Sequence, residues 1–173
     1  CKGLPPKVVS DIDDCMNKLC KALSNPWVLI AIKKCLGDLY NAQTFICLET
    51  FCSRGKPIYC DTLCLPIHRT DCKCKDGRTF EFLAPEYAYT NCNTNNQPDS
   101  QINLCTWWFT YYPSECVEDP STLPHHGSWA PTVIHELIHM CGKCKPDSEP
   151  HGDIYNPPAE CIAKVLGCQP FPR

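Results

Sequence analysis

The spacing of apolar residues predicts two helices at the start of the chain. Apolar side chains recur at helical spacing from Lys7 to Ser24, so this stretch is predicted to be a helix. Asn25 is placed to cap a second helix, Pro26–Leu36, which should end near Gly37. Because apolar residues dominate this second helix, we expect it to be buried.

The middle of the chain is predicted to combine irregular structure with strands. Tyr40–Cys52 is apolar, without a period that separates helix from strand. Ser53–Lys75 mixes glycine, proline, charges and cysteines, which predicts an irregular segment held by disulfides. After the next turn signal, alternating and aromatic residues predict strands at Arg78–Leu83, around Tyr87–Thr90 and at Gln101–Tyr112.

The best specified helix is Trp129–Cys141. Ser128 is placed to cap it, Pro131 fits its first turn and Gly142 is placed to end it. Its packing residues are Val133, Ile134, Leu137, Ile138 and Met140. Polar side chains within this stretch are therefore expected to stand on a rigid element.

This helix contains the pattern His135-Glu136-x-x-His139. Residues four apart share a helix face, so the two histidines can direct imidazole nitrogens at one metal ion. Glu136 would lie beside that ion, where a carboxylate can take a proton from water. Zinc suits the arrangement because it accepts imidazole ligands and keeps a position open. The alternative is a helix with two histidines that face solvent or the core and an ordinary surface glutamate.

Length and charge narrow the function classes. The chain has 173 residues and a formal net charge of -3, from 16 Lys and Arg against 19 Asp and Glu. We expect one domain, helical and cysteine-rich over residues 1–75, with the sheet and the zinc site over residues 76–173. No basic cluster occurs, so no nucleic-acid partner is expected. No apolar run is long enough to span a membrane.

The cysteine content points to an oxidising compartment. Seventeen cysteines predict a disulfide framework, and the odd number leaves at least one without a partner inside the chain. The chain begins at Cys1 without a signal peptide, so we expect a mature form of a secreted protein.

The His-Glu-x-x-His pattern resembles that of the zincin metallopeptidases. In their gluzincin branch, the third zinc ligand is a glutamate on a second helix after the motif. Pro157–Leu166 is similar to that helix, and its two prolines are placed to open it. The resemblance implies Glu160, 21 positions beyond His139, as the third ligand. Lys164 departs from the thermolysin-like members, which usually carry an acid at that position.

Two other residues remain open as the third ligand. Asp153 followed by Tyr155 resembles the aspzincin pattern, and Ile102–Cys105 is similar to the strand that aspzincins carry before the motif. His151 is the remaining candidate. The metzincin pattern does not fit, because its last histidine position is occupied by Lys145.

The resemblance to zincins implies a secreted zinc endopeptidase that acts on protein or peptide substrates. Zinc is the implied cofactor and Glu136 the implied general base. Tyr155 is the candidate for stabilising the oxyanion, with His151 second. Zincins pair an upstream edge strand with the extended substrate backbone, and Gln101–Tyr112 is the candidate for that strand.

The expected fold is α+β and zincin-like. The Pro26–Leu36 helix should back a small sheet built after Gly77, and the Trp129–Cys141 helix should lie on that sheet. The Pro157–Leu166 helix should then complete the zinc site. Bridges between cysteine pairs are expected to clamp these last two helices together. The pairs are Cys141 and Cys144 after the first helix and Cys161 and Cys168 around the second.

The alternative function is a non-catalytic, disulfide-rich secreted module that acts as a binding protein or inhibitor. In that case the histidine pair is structural or the remnant of a metal site. The intact Glu136 favours the enzyme, because a structural zinc site does not need a carboxylate at that position.

Overall fold

The structure, a computed structural model, describes residues 6–61, 66–73, 79–85, 88–90, 101–105, 129–142 and 152–168. These residues form an α+β fold that is mostly helical. The helices are α1 (Pro6–Ala22), α2 (Pro26–Leu36), α3 (Thr44–Ser53), α4 (Trp129–Cys141) and α5 (Gly152–Val165). The strands are β1 (Ile58–Asp61), β2 (Pro66–Lys73), β3 (Thr79–Pro85), β4 (Ala88–Tyr89) and β5 (Ile102–Cys105).

The first two predicted helices are confirmed as α1 and α2. Asn25 caps α2, because its side chain accepts a hydrogen bond of 3.0 Å from the backbone N–H of Trp27. Gly37 ends α2 with a φ of 51°, a conformation that favours glycine. The ambiguous stretch after Tyr40 forms a helix, α3, which buries Leu48 and Phe51 among its apolar residues.

The expectation that α2 is buried is wrong. Within this helix only Ile32 and Leu36 are buried, whereas Trp27 is 80% exposed and Ile30 is 48% exposed. The helix packs on α5 rather than backing the sheet. A helix that packs mainly on one neighbour buries one stripe of side chains, however apolar its other faces are.

Three short strands form a sheet in the order β1-β5-β4. β5 is central, with β1 parallel on one side and β4 antiparallel on the other. The predicted strand near Tyr89 is confirmed as β4. The first residues of the predicted Gln101–Tyr112 strand are confirmed as β5, and residues 106–112 lie outside the described part of the chain.

The prediction of irregular structure throughout Ser53–Lys75 is wrong. β1 and β2 both lie in this stretch, and β2 pairs antiparallel with β3, which confirms the strand predicted at Arg78–Leu83. The partner of β1 is β5, far later in the chain. Pairing between distant segments leaves little trace in the local sequence, and the short β1 shows no clear alternation of apolar and polar residues.

The core is built around α4, which packs on α1, α3, α5 and the two strands β4 and β5. Helices and sheet thus enclose α4 on several sides, and its exposed surface is small. Its buried residues are Ala130, Val133, Ile134, Glu136, Leu137, Ile138, His139, Met140 and Cys141. The prediction that this helix lies on a small sheet is confirmed, but the expectation that the sheet is built only after Gly77 is wrong, because it includes β1. The polar side chains of α4 are fixed by close packing.

Disulfides attach the N-terminal helices to the two C-terminal ones. The predicted bridges between Cys141, Cys161 and Cys168 are wrong, because these cysteines face α1, α2 and α3 rather than one another. Cys144, which was also assigned to that clamp, lies outside the described residues. The bridges among described residues are Cys15–Cys168, Cys20–Cys52, Cys35–Cys161 and Cys47–Cys141.

The start predicted for α5 is also wrong. The helix begins at Gly152, so Pro157 and Pro158 lie inside it instead of opening it. Each proline removes one backbone donor from the helix, which weakens it locally. Tertiary contacts compensate, because Tyr155 and Ala159 are almost fully buried and the Cys35–Cys161 bridge holds the helix to α2.

Gly142 follows α4 as predicted. Close packing, rather than a left-handed backbone conformation, explains why a glycine occupies this position. A Cβ atom there would lie 2.7 Å from the carbonyl oxygen of Ile138 and 3.0 Å from that of Leu39. The carbonyl of Gly142 also accepts a hydrogen bond from the side-chain amide of Asn41. The end of α4 is therefore held against the segment that precedes α3.

Gly142→Ala is expected to lower the free energy of unfolding by about 1–3 kcal/mol, because two backbone carbonyls would have to move. Urea denaturation of both proteins under oxidising conditions measures the change. An unchanged midpoint and slope would contradict the close approach seen here.

Two further predictions fall outside the described residues: Ser128 as the cap of α4 and His151 as a site residue. Among the helices that are described, none is long and apolar enough to cross a membrane.

Candidate metal centre

His135 and His139 bring two imidazole nitrogens together on one face of α4. They are one helical turn apart, and their Nε2 atoms are separated by 3.2 Å. Two nitrogen ligands of one tetrahedral zinc ion, each about 2.0–2.1 Å from the metal, are about 3.3 Å apart. The observed separation is close to that value, and it is also the distance of a hydrogen bond between the two rings.

The other ring nitrogen of His135 is held by α5. Its Nδ1 atom is 2.9 Å from Oδ1 of Asn156. Sequence reasoning missed Asn156, although it lies four residues, about one helical turn, before Glu160 and so on the same flank of α5. The sequence does not reveal which flank of α5 faces α4. The spacing of Asn156 and Glu160 therefore did not by itself identify Asn156 as a contact of His135.

Tyr155 packs against both imidazoles. Its ring centroid lies 4.2 Å from that of His139 and 5.5 Å from that of His135, and its side chain has 0% exposure. The structure therefore brings the predicted residue to the histidine pair. The oxyanion role expected of its hydroxyl stays a prediction, and the observed contacts support a role in holding the two rings.

Glu136 lies between the histidines in the sequence and is 6% exposed. Its backbone carbonyl accepts a hydrogen bond of 3.3 Å from the hydroxyl of Thr90, which directly follows β4. This bond ties the edge of the sheet to the turn of α4 that carries the motif. The carboxylate thus belongs to a segment that packing and hydrogen bonding hold in place.

The third ligand stays a prediction. Among the described residues, no group of three or more His, Cys, Asp or Glu side chains is placed to hold a metal ion. Glu160 is half-buried on α5 but is not joined to the histidine pair in such a group. The side chain of Asp153 and the whole of His151 lie outside the part of the chain that the structure describes.

The donor atoms of the histidine pair fit zinc in type and in spacing. Imidazole nitrogens are common zinc ligands, and an oxygen acceptor at Nδ1 is the usual partner of a zinc-binding histidine. His135 has such an acceptor in Asn156. The described residues therefore bring together two nitrogen atoms of a type that zinc accepts, on a helix that also carries the buried Glu136.

Comparisons with known proteins add no assignment to this geometry. No protein-family model matches the chain, and neither the search of curated proteins nor the search of solved structures found a match.

Proposed function

We propose that this chain is a secreted zinc-dependent metallopeptidase with a zincin-like fold. One observation carries the proposal: the Nε2 atoms of His135 and His139 are 3.2 Å apart on a buried helix that also carries Glu136. Helical spacing alone brings two histidines near each other. The convergence of their nitrogens, with an oxygen acceptor behind one ring, supports a metal site more specifically.

In the proposed site, His135 and His139 are two zinc ligands and Glu160 is the third. Glu160 is preferred because the gluzincin resemblance implies it, and zinc binding would have to draw it to the histidine pair, with which it forms no group in the described residues. Asp153 and His151 remain the alternatives. A catalytic zinc site has three protein ligands and one open position, so the histidine pair needs a third ligand.

The proposed reaction is hydrolysis of a peptide bond. Bound zinc would supply Lewis acidity, which polarises the scissile carbonyl and makes water more acidic. Glu136 accepts a proton from the attacking water and then donates it to the nitrogen of the leaving amine. Tyr155 remains the candidate for hydrogen bonding to the oxyanion, with His151 second.

The strand expected to bind substrate has to be reassigned. The described part of Gln101–Tyr112 is β5, whose two edges are occupied by β1 and β4, so it has no free edge for a peptide. Within the described residues, β4 ends the sheet on the side of Thr90 and Glu136. An extended protein or peptide substrate is therefore proposed to add to β4.

The disulfides fit an oxidising compartment, and secretion is part of the proposal. Bridges join α1, α2 and α3 to the two helices that carry the site. Such bridges form and persist where thiols are not kept reduced.

Metal content tests the proposal directly. We expect one zinc per chain in the wild type by mass spectrometry, and its loss in His139→Ala and in Glu160→Ala. Lys34→Ala, which changes an exposed side chain on α2, should keep the metal. Hydrolysis of a casein substrate by the wild type should stop on adding a zinc chelator and return on adding zinc.

Other outcomes are equally informative. Loss of zinc in Asp153→Ala but not in Glu160→Ala would reassign the third ligand to Asp153. A wild type that holds no zinc, even after zinc is supplied, would contradict the proposal. The non-catalytic binding or inhibitor module would then be the working function.

A further inference from the structure

We propose that Asn156 is a positioning residue that selects the metal-binding tautomer of His135. This inference rests on the proposed zinc site and adds a residue to it. The observation behind it is the 2.9 Å contact between Asn156 Oδ1 and His135 Nδ1, on the side of the ring away from His139.

The orientation of the amide determines which imidazole nitrogen can bind a metal. A neutral imidazole carries one N–H, and its other nitrogen has a lone pair. When Asn156 Oδ1 accepts a hydrogen bond from Nδ1–H, the lone pair is on Nε2, which lies 3.2 Å from His139 Nε2. A donor at the same place would favour the proton on Nε2 and block coordination.

The surroundings of Asn156 are suited to hold this geometry. It lies between Tyr155, whose buried ring packs against both imidazoles, and two prolines that restrict the backbone of α5. The bridge between Cys35 and Cys161 fixes the same helix to α2. An acceptor on a rigid element sets the ring plane of His135 as well as its tautomer.

Zinc affinity of substituted proteins tests this role. Asn156→Leu removes the acceptor at similar size, and Asn156→Asp provides an acceptor that has no N–H donor. Competition with a chromogenic chelator, using zinc alone as the probe, should show Kd about 10–100-fold weaker for Asn156→Leu. Asn156→Asp should bind zinc as tightly as the wild type or more tightly, and Lys34→Ala, at an exposed position of α2, should be unchanged.

Nitrogen NMR gives a second readout, which a merely structural role would not change. In the zinc-free state His135 should be in the Nδ1–H form in the wild type and in Asn156→Asp, and a mixture of tautomers in Asn156→Leu. Thermal unfolding in the presence of chelator establishes that all three proteins fold.

Failure of this inference differs from failure of the zinc site. Equal zinc affinity in the wild type and Asn156→Leu, with loss of zinc in His135→Ala, would overturn the role of Asn156 and leave the site standing. Weak binding by Asn156→Asp would overturn the acceptor role in the same way. A wild type without zinc affinity would overturn the proposed function, and this inference with it.

Discussion

Replacing Glu136 by glutamine is expected to lower kcat for peptide hydrolysis by about 10²–10⁴-fold, the usual contribution of a general base. Glutamine keeps the size of the side chain but cannot accept the proton of the attacking water. Because His135 and His139 supply metal ligands in the proposed site and Glu136 does not, zinc content should stay at one per chain.

Glu49→Gln is the matched control, because it makes the same chemical change at an exposed glutamate on α3. This variant should keep both activity and zinc. The informative measurement is kcat together with zinc content, each determined on the same preparation. Full activity in a zinc-loaded Glu136→Gln protein would rule out the proposed base. Loss of zinc together with activity would instead indicate that Glu136 belongs to the metal ligands.

Removing the Cys35–Cys161 bridge by replacing both cysteines with alanine is expected to have the second large effect. The bridge joins α2 to α5, the helix that carries Tyr155 and Asn156. While the Cys15–Cys168 bridge is intact, the Cys35–Cys161 bridge closes a loop of about 27 residues. Loop-closure entropy then predicts a loss of about 3.6 kcal/mol in the free energy of unfolding.

The same double substitution should also weaken zinc binding by about 10–100-fold, because α5 holds the acceptor for His135. Removal of Cys20–Cys52, with a sequence separation of 32, is the matched control. That bridge joins α1 to α3 and should cost a similar amount of stability without changing zinc affinity. Urea denaturation and chelator competition separate the two effects. Equal zinc affinity in both double variants would argue against a role of the bridge in the site.

Local features of the sequence were sufficient to predict most of the helices. Asn25 and Gly37 delimit α2 as expected, and the motif helix runs from Trp129 to Cys141 as predicted. These predictions rest on helical period, on capping and on the conformational limits of glycine and proline, which act between residues close in the chain. The proximity of His135 and His139 has the same local origin, because residues four apart share a face.

Contacts between distant segments were not predictable in the same way. β1 depends on pairing with β5, and the exposure of Trp27 depends on α2 packing mainly on α5. The partners of Cys141 and Cys161 depend on which helices their faces meet. None of these follows from periodicity, since many arrangements of the same elements bury similar amounts of apolar surface.

The sequence by itself determined that a rigid helix presents His135, Glu136 and His139 on neighbouring positions. Only the tertiary structure decided that Asn156 contacts His135 and that Tyr155 packs against both imidazoles. The physical reason is that a helix sets the spacing of its own side chains through backbone hydrogen bonds. Side chains of a second helix reach the motif only when packing has fixed how that helix is rotated about its axis and how far it is shifted along that axis. In this protein the hydrophobic core and the disulfides fix both.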